Sequence, residues 1–217
     1  LMDFRWELLV TIFPILWSGS LTTLGLILSS LLVGLVLGLI LALMKISTNW
    51  ILKAISIAYI ELVRGTPALM QIMLVYFGLP ALGLNIDRLT AAVVALGLNS
   101  AAYSGEIFRA GIESIDKGQM EAARAIGMTG SMAMWLIILP QAFRMVIPPL
   151  VNEFVALLKD TSLVSVIGVA DLMLRSRNMI SYSANVFTPL LGASILYLLA
   201  TIPGSQLSAY LERRFKF

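Results

Sequence analysis

The stretch Leu21–Met44, LTTLGLILSSLLVGLVLGLILALM, carries no charged side chain. A helix needs about 20 apolar residues to cross roughly 30 Å of hydrocarbon, so this run is long enough to span a bilayer by itself. The whole chain agrees with it: 59% of its 217 residues are hydrophobic and only 12% are charged, with a mean hydropathy of +0.93. Soluble domains average roughly 25% charged residues. Lipid is therefore the expected solvent, and residues 1–217 make one domain's worth of chain. The sequence contains no cysteine and no histidine. Disulfides and thiolate metal sites are excluded, and the commonest general base and metal ligand is missing. The net charge of +3 is scattered, with no basic block of the kind that binds nucleic acid.

Working outward, Asp3, Arg5 and Glu7 precede the first run, which is not the basic start of a cleavable signal peptide. The apolar segments thus read as permanent spans. After Lys45, Ser47-Thr48-Asn49 and Lys53 mark a short loop. A second span is expected from about Ala54 to Leu79, interrupted by Glu61, Arg64 and Gly65-Thr66-Pro67. Residues 80–88 turn the chain into a third span, about Leu89 to Ile107. Arg109 to Gly130 is the least lipid-like part. A fourth span, about Trp135 to Leu158, carries Arg144 and Glu153 and is expected to kink at Pro140 and Pro148-Pro149. Lys159 to Asn185 is mixed and predicted to fold back partly into the protein, before a fifth span from about Val186 to Tyr210. The fold class is all-α, with about five transmembrane helices and a cytoplasmic loop between spans three and four.

Lys and Arg placement sets the orientation. With the N-terminus outside, the inner loops and tail hold Lys45, Lys53, Arg109, Lys117, Arg124, Arg213, Arg214 and Lys216. The outer side holds Arg5, Arg88, Lys159, Arg175 and Arg177. The C-terminus is then cytoplasmic, and Trp6, Trp17 and Trp50 fall near the interfaces. Gly34 and Gly38 form a GxxxG pair that permits close helix approach. It and the eleven methionines read as packing.

Within the polar loop, Gly118-Gln119-Met120-Glu121-Ala122-Ala123 reads as a short helix. Gly127 would close it in a left-handed C-cap, and Thr129 or Ser131 would N-cap the next one. Ala122 and Ala123 offer a shallow surface and Glu121 a carboxylate for a docking partner. The plainer alternative is an amphipathic connector lying on the membrane.

Glu121-Ala122-Ala123 with Gly127 and Leu139-Pro140 resembles the signature loop of permease subunits of binding-protein-dependent ABC importers. The resemblance runs along nearly the whole chain and sharpens to polar amino-acid permeases. It is carried further by Arg64-Gly65-Thr66-Pro67, Ala102-Tyr103 with Glu106 and Arg109, and Gly118-Gln119. Pro140-Gln141-Ala142-Phe143-Arg144, Pro148-Pro149 and Lys159-Asp160-Thr161-Ser162-Leu163 continue it. The family implies that this loop is a coupling helix seated in a cleft of a cytoplasmic ATPase. It also implies an assembly of two permease subunits, identical or closely paralogous, and two ATP-binding subunits in a prokaryotic cell membrane. An extracytoplasmic substrate-binding protein feeds them. No G-x-x-x-x-G-K-[ST] phosphate loop occurs in the chain, so ATP and Mg are expected on the partner ATPase, and this chain is expected to need no cofactor and to catalyse nothing.

An ionisable side chain at membrane depth costs roughly 2.5–3.5 kcal/mol on insertion scales and usually faces a cavity or a partner. Arg64 precedes a Gly-Thr-Pro break where freed backbone groups can line a cavity; alternatively it pairs with Glu61 along the helix. Glu153 lies shortly after Pro148, and Asp160 falls about two turns further on the same face if the helix continues. Alternatively Asp160 pairs with Lys159 or Arg175. Two carboxylates on one wall favour a cationic side chain, while Arg64 or unwound amides can take an α-carboxylate. Thr66, Asn99, Asn152 and Ser162 are candidate neutral hydrogen-bonding groups. The expected cargo is a polar amino acid, with arginine, lysine or histidine favoured. A competing reading makes the chain an ion-coupled secondary carrier with Glu61, Glu153 and Asp160 as proton or sodium sites, although no inverted repeat is evident. An intramembrane enzyme lacks its His, Cys, Ser-Lys or paired-Asp groups here.

Overall fold

The computed structural model describes residues 3–215, all of them helical or connecting; Lys216 lies outside that range. We number the helices α1 (Trp6–Ile46), α2 (Trp50–Arg64), α3 (Ala68–Ala81), α4 (Arg88–Glu113), α5 (Lys117–Ala125), α6 (Gly130–Ile167), α7 (Leu172–Ser183) and α8 (Phe187–Phe215). Helices α1, α4, α6 and α8 are each long and apolar enough to cross a bilayer. A fifth span exists if α2 and α3, bent by 103° at the intervening break, count as one.

The first span is longer than its charge-free run. α1 has 41 residues, about 60 Å at 1.5 Å per residue, and passes through Pro14 without stopping. Its early turns are held by packing: Ile12 and Leu16 are buried against Leu172 of α7 and Ala193 and Leu196 of α8. The mixed segment after Lys159 becomes a tight 3₁₀ continuation of α6 (Thr161–Ile167) followed by α7. The Pro148-Pro149 pair does not end its helix. The α-helical part Leu139–Asp160 runs through both prolines, and the Ser208 hydroxyl of α8 donates to the Pro148 carbonyl at 2.9 Å.

The two π turns have one cause. Leu74–Gly78 in α3 and Met134–Ile138 in α6 each sit just ahead of a Leu-Pro pair, Leu79-Pro80 and Leu139-Pro140. A proline within a helix removes an amide from the i→i−4 ladder and clashes with the carbonyl a turn earlier. Widening the preceding turn relieves this.

The core is centred on α1 and α4, which cross closely along a stripe of small residues. A Cβ built on Gly34 would lie 2.7 Å from the Ser100 Cβ, and one on Gly38 would lie 2.8 Å from the Ser104 Cβ. The GxxxG pair is therefore a packing seam, as the spacing suggests. Around it, Leu26, Ile27, Ile72, Leu96, Leu157 and Val164 bring α3 and α6 onto the same core. At the start of α4, Asp87 accepts from the amides of Leu89 and Thr90. Hydrogen bonding from the Thr90 side chain, with those amides, holds the Asp87 carboxyl below its ordinary range, so this cap keeps its charge well into acid.

Candidate functional site

The break between α2 and α3 organises the polar interior. Pro67 has no amide, and a residue before proline is pushed out of the α region. Gly65 ends α2 by donating to the Glu61 carbonyl at 2.8 Å. This leaves the carbonyls of Val63 and Thr66 exposed inside the bend, where Gln71 of α3 meets them. Its Nε2 lies 2.7 Å from the Val63 carbonyl, 3.1 Å from the Thr66 carbonyl and 2.9 Å from Thr66 Oγ1. Gln71 Oε1 accepts from Asn99 Nδ2 of α4 at 3.0 Å. One residue further along α4, the Ser100 hydroxyl donates to Glu153 Oε1 of α6 at 2.8 Å. A polar chain thus runs Thr66–Gln71–Asn99, then by the adjacent Ser100 to Glu153, crossing three helices through the centre of the subunit. Gln71 and Ser100 are absent from the residues picked out in the sequence.

The remaining candidates scatter. Asp160, half-buried, ends the same α-helical stretch as Glu153, seven residues on and therefore on nearly the same face, about 10 Å along the axis. No Lys or Arg forms an ion pair with either carboxylate among the described residues. Arg64 does not pair with Glu61; its guanidinium lies 5.4 Å from the centre of the Tyr103 ring, a cation–π contact that turns it from α2 toward α4. Ser162 donates to the Lys159 carbonyl at 2.7 Å. Asn152 is turned away from its neighbour Glu153 and lines a pocket of about 400 Å³ with Arg144, Pro148 and Glu212.

The polar loop folds as its residues predict. Asp116 caps α5 by accepting from the Gly118 amide. Gly127, at φ 86°, donates to the Arg124 carbonyl, and Met128 donates to the Ala123 carbonyl, both at 3.0 Å. Those two bonds make a Schellman motif, which needs a left-handed residue that glycine adopts without strain. Thr129, not Ser131, caps the next helix by accepting from the Met132 amide at 3.2 Å. One expectation changes. Ala123 is buried, at 2% exposure, while Glu121 and Ala122 face outward with Ile126, which is 77% exposed. A turn of 100° per residue separates the two alanines, so Ile126 takes the place expected of Ala123 on the outer surface.

Behind this elbow, ion pairs tie α1 to α4. Lys45 pairs with Glu106, Glu106 with Arg109 at 2.8 Å, and Arg109 with Glu113. No group of three metal-ligating side chains is assembled among the described residues.

Comparison with known proteins bears on this arrangement. Residues 34–217 match the family described as "Binding-protein-dependent transport system inner membrane component". The chain is 43% identical over 204 residues to the arginine transport system permease protein ArtQ of Bacillus subtilis, covering 94% of this chain and 93% of that protein. It is 37% identical over 217 residues to the glutamine transport system permease protein GlnP of Escherichia coli K12, covering 99% of each. Among solved structures, "Crystal structure of an amino acid ABC transporter with histidines" superposes with a TM-score of 0.92 at 42% identity, covering 98% of this chain and 100% of that one. A chain of the MetNI methionine ABC transporter, at 22% identity and a TM-score of 0.71 over 93% of this chain and 98% of that one, shares the fold. The family match sets aside the reading as an ion-coupled carrier. The chain belongs to the binding-protein-dependent transport system inner membrane components, as a non-catalytic permease subunit of an ATP-driven amino-acid ABC importer.

Proposed function

We propose that residues 1–217 form one permease domain that lines half of a path for a polar, cationic amino acid. A second copy or a close paralogue supplies the other half. The N-terminus lies outside and the C-terminus in the cytoplasm, a reading supported by the excess of Lys and Arg in the loops on one side. α5 is then the coupling helix. Gly118, Glu121, Ala122 and Gly127 with Ile126 form its docking elbow, Ala123 anchors it from beneath, and a dimer of ATP-binding subunits holding ATP and Mg takes hold of it. An extracytoplasmic substrate-binding protein delivers cargo to the opposite face.

The observation that carries the cargo reading is the pair Glu153 and Asp160. They sit on one face of α6, and neither is neutralised by a Lys or Arg among the described residues. Two carboxylates so placed are matched by a guanidinium or ammonium group, which restores the charge balance that burial demands. Thr66 and Asn99, fixed by Gln71, present amide and carbonyl groups near the unwound turn to the α-amino and α-carboxylate ends. Arg64, Asn152 and Ser162 flank the path at other levels. The name of the B. subtilis relative, an arginine permease, agrees with this choice.

Uptake by vesicles holding the permease, its ATPase and its binding protein tests the reading. Glu153→Gln is expected to cut arginine uptake roughly tenfold or more, the scale of one charge-assisted hydrogen bond, and to spare glutamine. Unchanged arginine uptake removes Glu153 from the site.

A further inference from the structure

A second polar cavity lies behind α5, away from the path. It has a volume of about 600 Å³ and opens between the α1–α2 turn, the end of α4 and the start of α6. Its charges are lysines 45, 53 and 117 with Glu113 and Asp116. Three of the five are already engaged. Lys45 pairs with Glu106, Glu113 with Arg109, and Asp116 accepts from the Gly118 amide. Lys53, on the first turn of α2, and Lys117, the first residue of α5, form no ion pair among the described residues. They leave the cavity with positive charge to be met.

The rest of the lining is hydrocarbon. Met134 and Ile138 of α6 belong to it, and two open tryptophans adjoin lining residues in sequence: Trp50, three residues before Lys53, is 76% exposed, and Trp135, next to Met134, is 69% exposed. Aromatic side chains of this kind mark the headgroup level of a membrane. A soluble anion would match the lysines and leave the apolar wall wet. An anion joined to an acyl chain satisfies both.

We propose that this cavity holds an anionic phospholipid of the inner leaflet, its phosphate between Lys53 and Lys117 and one acyl chain along Met134 and Ile138. The proposal goes beyond the transport reading and uses only its orientation. Lys53 and Lys117 belong to different helices, so a shared headgroup ties α5 to the membrane-embedded helices and stiffens the element through which force is transmitted. Each basic residue near a membrane surface favours an anionic lipid by about fivefold.

The test reads tryptophan quenching in the assembled permease–ATPase complex, reconstituted in vesicles. Trp6→Phe with Trp17→Phe replaces two of the chain's four tryptophans and leaves in this chain Trp50, three residues before Lys53, and Trp135, next to Met134. Dibrominated phosphatidylglycerol should quench them at a several-fold lower mole fraction than dibrominated phosphatidylcholine. Lys53→Gln with Lys117→Gln should abolish that preference, and Lys53→Arg with Lys117→Arg should retain it. Equal quenching by the two lipids in the unsubstituted cavity would overturn the proposal, as would a preference surviving the glutamine substitutions. If inorganic phosphate at constant ionic strength removes the preference, the cavity is a site for a soluble anion and the lipid reading falls. Should the glutamine variant not assemble, the two-lipid comparison and the arginine variant still decide. Amino-acid uptake by the same vesicles reports on the transport reading separately.

Discussion

The Ser100 hydroxyl of α4 donates to Glu153 Oε1 of α6 at 2.8 Å, directly opposite Gly34 of α1. Three helices meet at that point, and a carboxylate is held there by a neutral donor with no cation paired to it among the described residues. Ser100→Ala removes the donor without adding volume beside Gly34. A hydrogen bond to a charged group is worth about 2 kcal/mol, so the variant should unfold at lower temperature in detergent. Arginine should then protect it less than it protects the unsubstituted protein. Equal melting and equal protection would show that the bond does not hold Glu153.

Among the described residues, Gln71 is the only side chain that bonds both sides of the α2–α3 break and α4. Gln71→Leu keeps the length and removes every one of those bonds, leaving the Asn99 side-chain amide without its partner. Each unsatisfied buried group costs about 1–3 kcal/mol. Uptake should fall while basal ATP hydrolysis by the complex persists. Normal uptake in this variant would mean that the break is fixed by Pro67 alone.

Gly127→Val forces a β-branched residue to φ 86°, a conformation that costs even an ordinary residue about 1–2 kcal/mol. The Schellman closure of α5 should open, and Ile126 with it. ATP hydrolysis should continue without stimulation by the loaded binding protein, and uptake should drop severalfold. Retained, stimulated uptake would count against α5 as the coupling element.

Ala184 is the one non-glycine residue at positive φ among those described, at 50° after α7. Ala184→Gly should raise the thermal midpoint by relieving about 1 kcal/mol of strain, less the chain entropy that glycine adds. A lower midpoint would show that the methyl group packs better than the strain costs.

Much of this architecture was legible because lipid imposes simple rules. The charge-free run in α1, the break at Gly65-Thr66-Pro67 and the Gly127 cap each state their backbone geometry through residue type. Side-chain identity was less informative. Gln71 lies in an apolar run, and nothing in its spacing reveals that it answers two carbonyls freed by a proline it does not touch. Ser100 reads as one more small residue on a packing face. Ile126 looks buried by composition, yet the turn of α5 sends it outward and Ala123 inward. The early turns of α1 were hidden for a different reason. Pro14 suggests an end, whereas packing against α7 and α8, which no local pattern encodes, keeps the helix going.

The central claim is that this subunit is a passive gate moved through α5 by its ATPase. Solute accumulation in sealed vesicles tests it most directly. The permease alone, with an imposed ion gradient, should give no concentrative uptake, and adding the ATPase, ATP-Mg and the loaded binding protein should give uptake that Gly127→Val suppresses. Accumulation against a gradient by the permease alone would contradict the account.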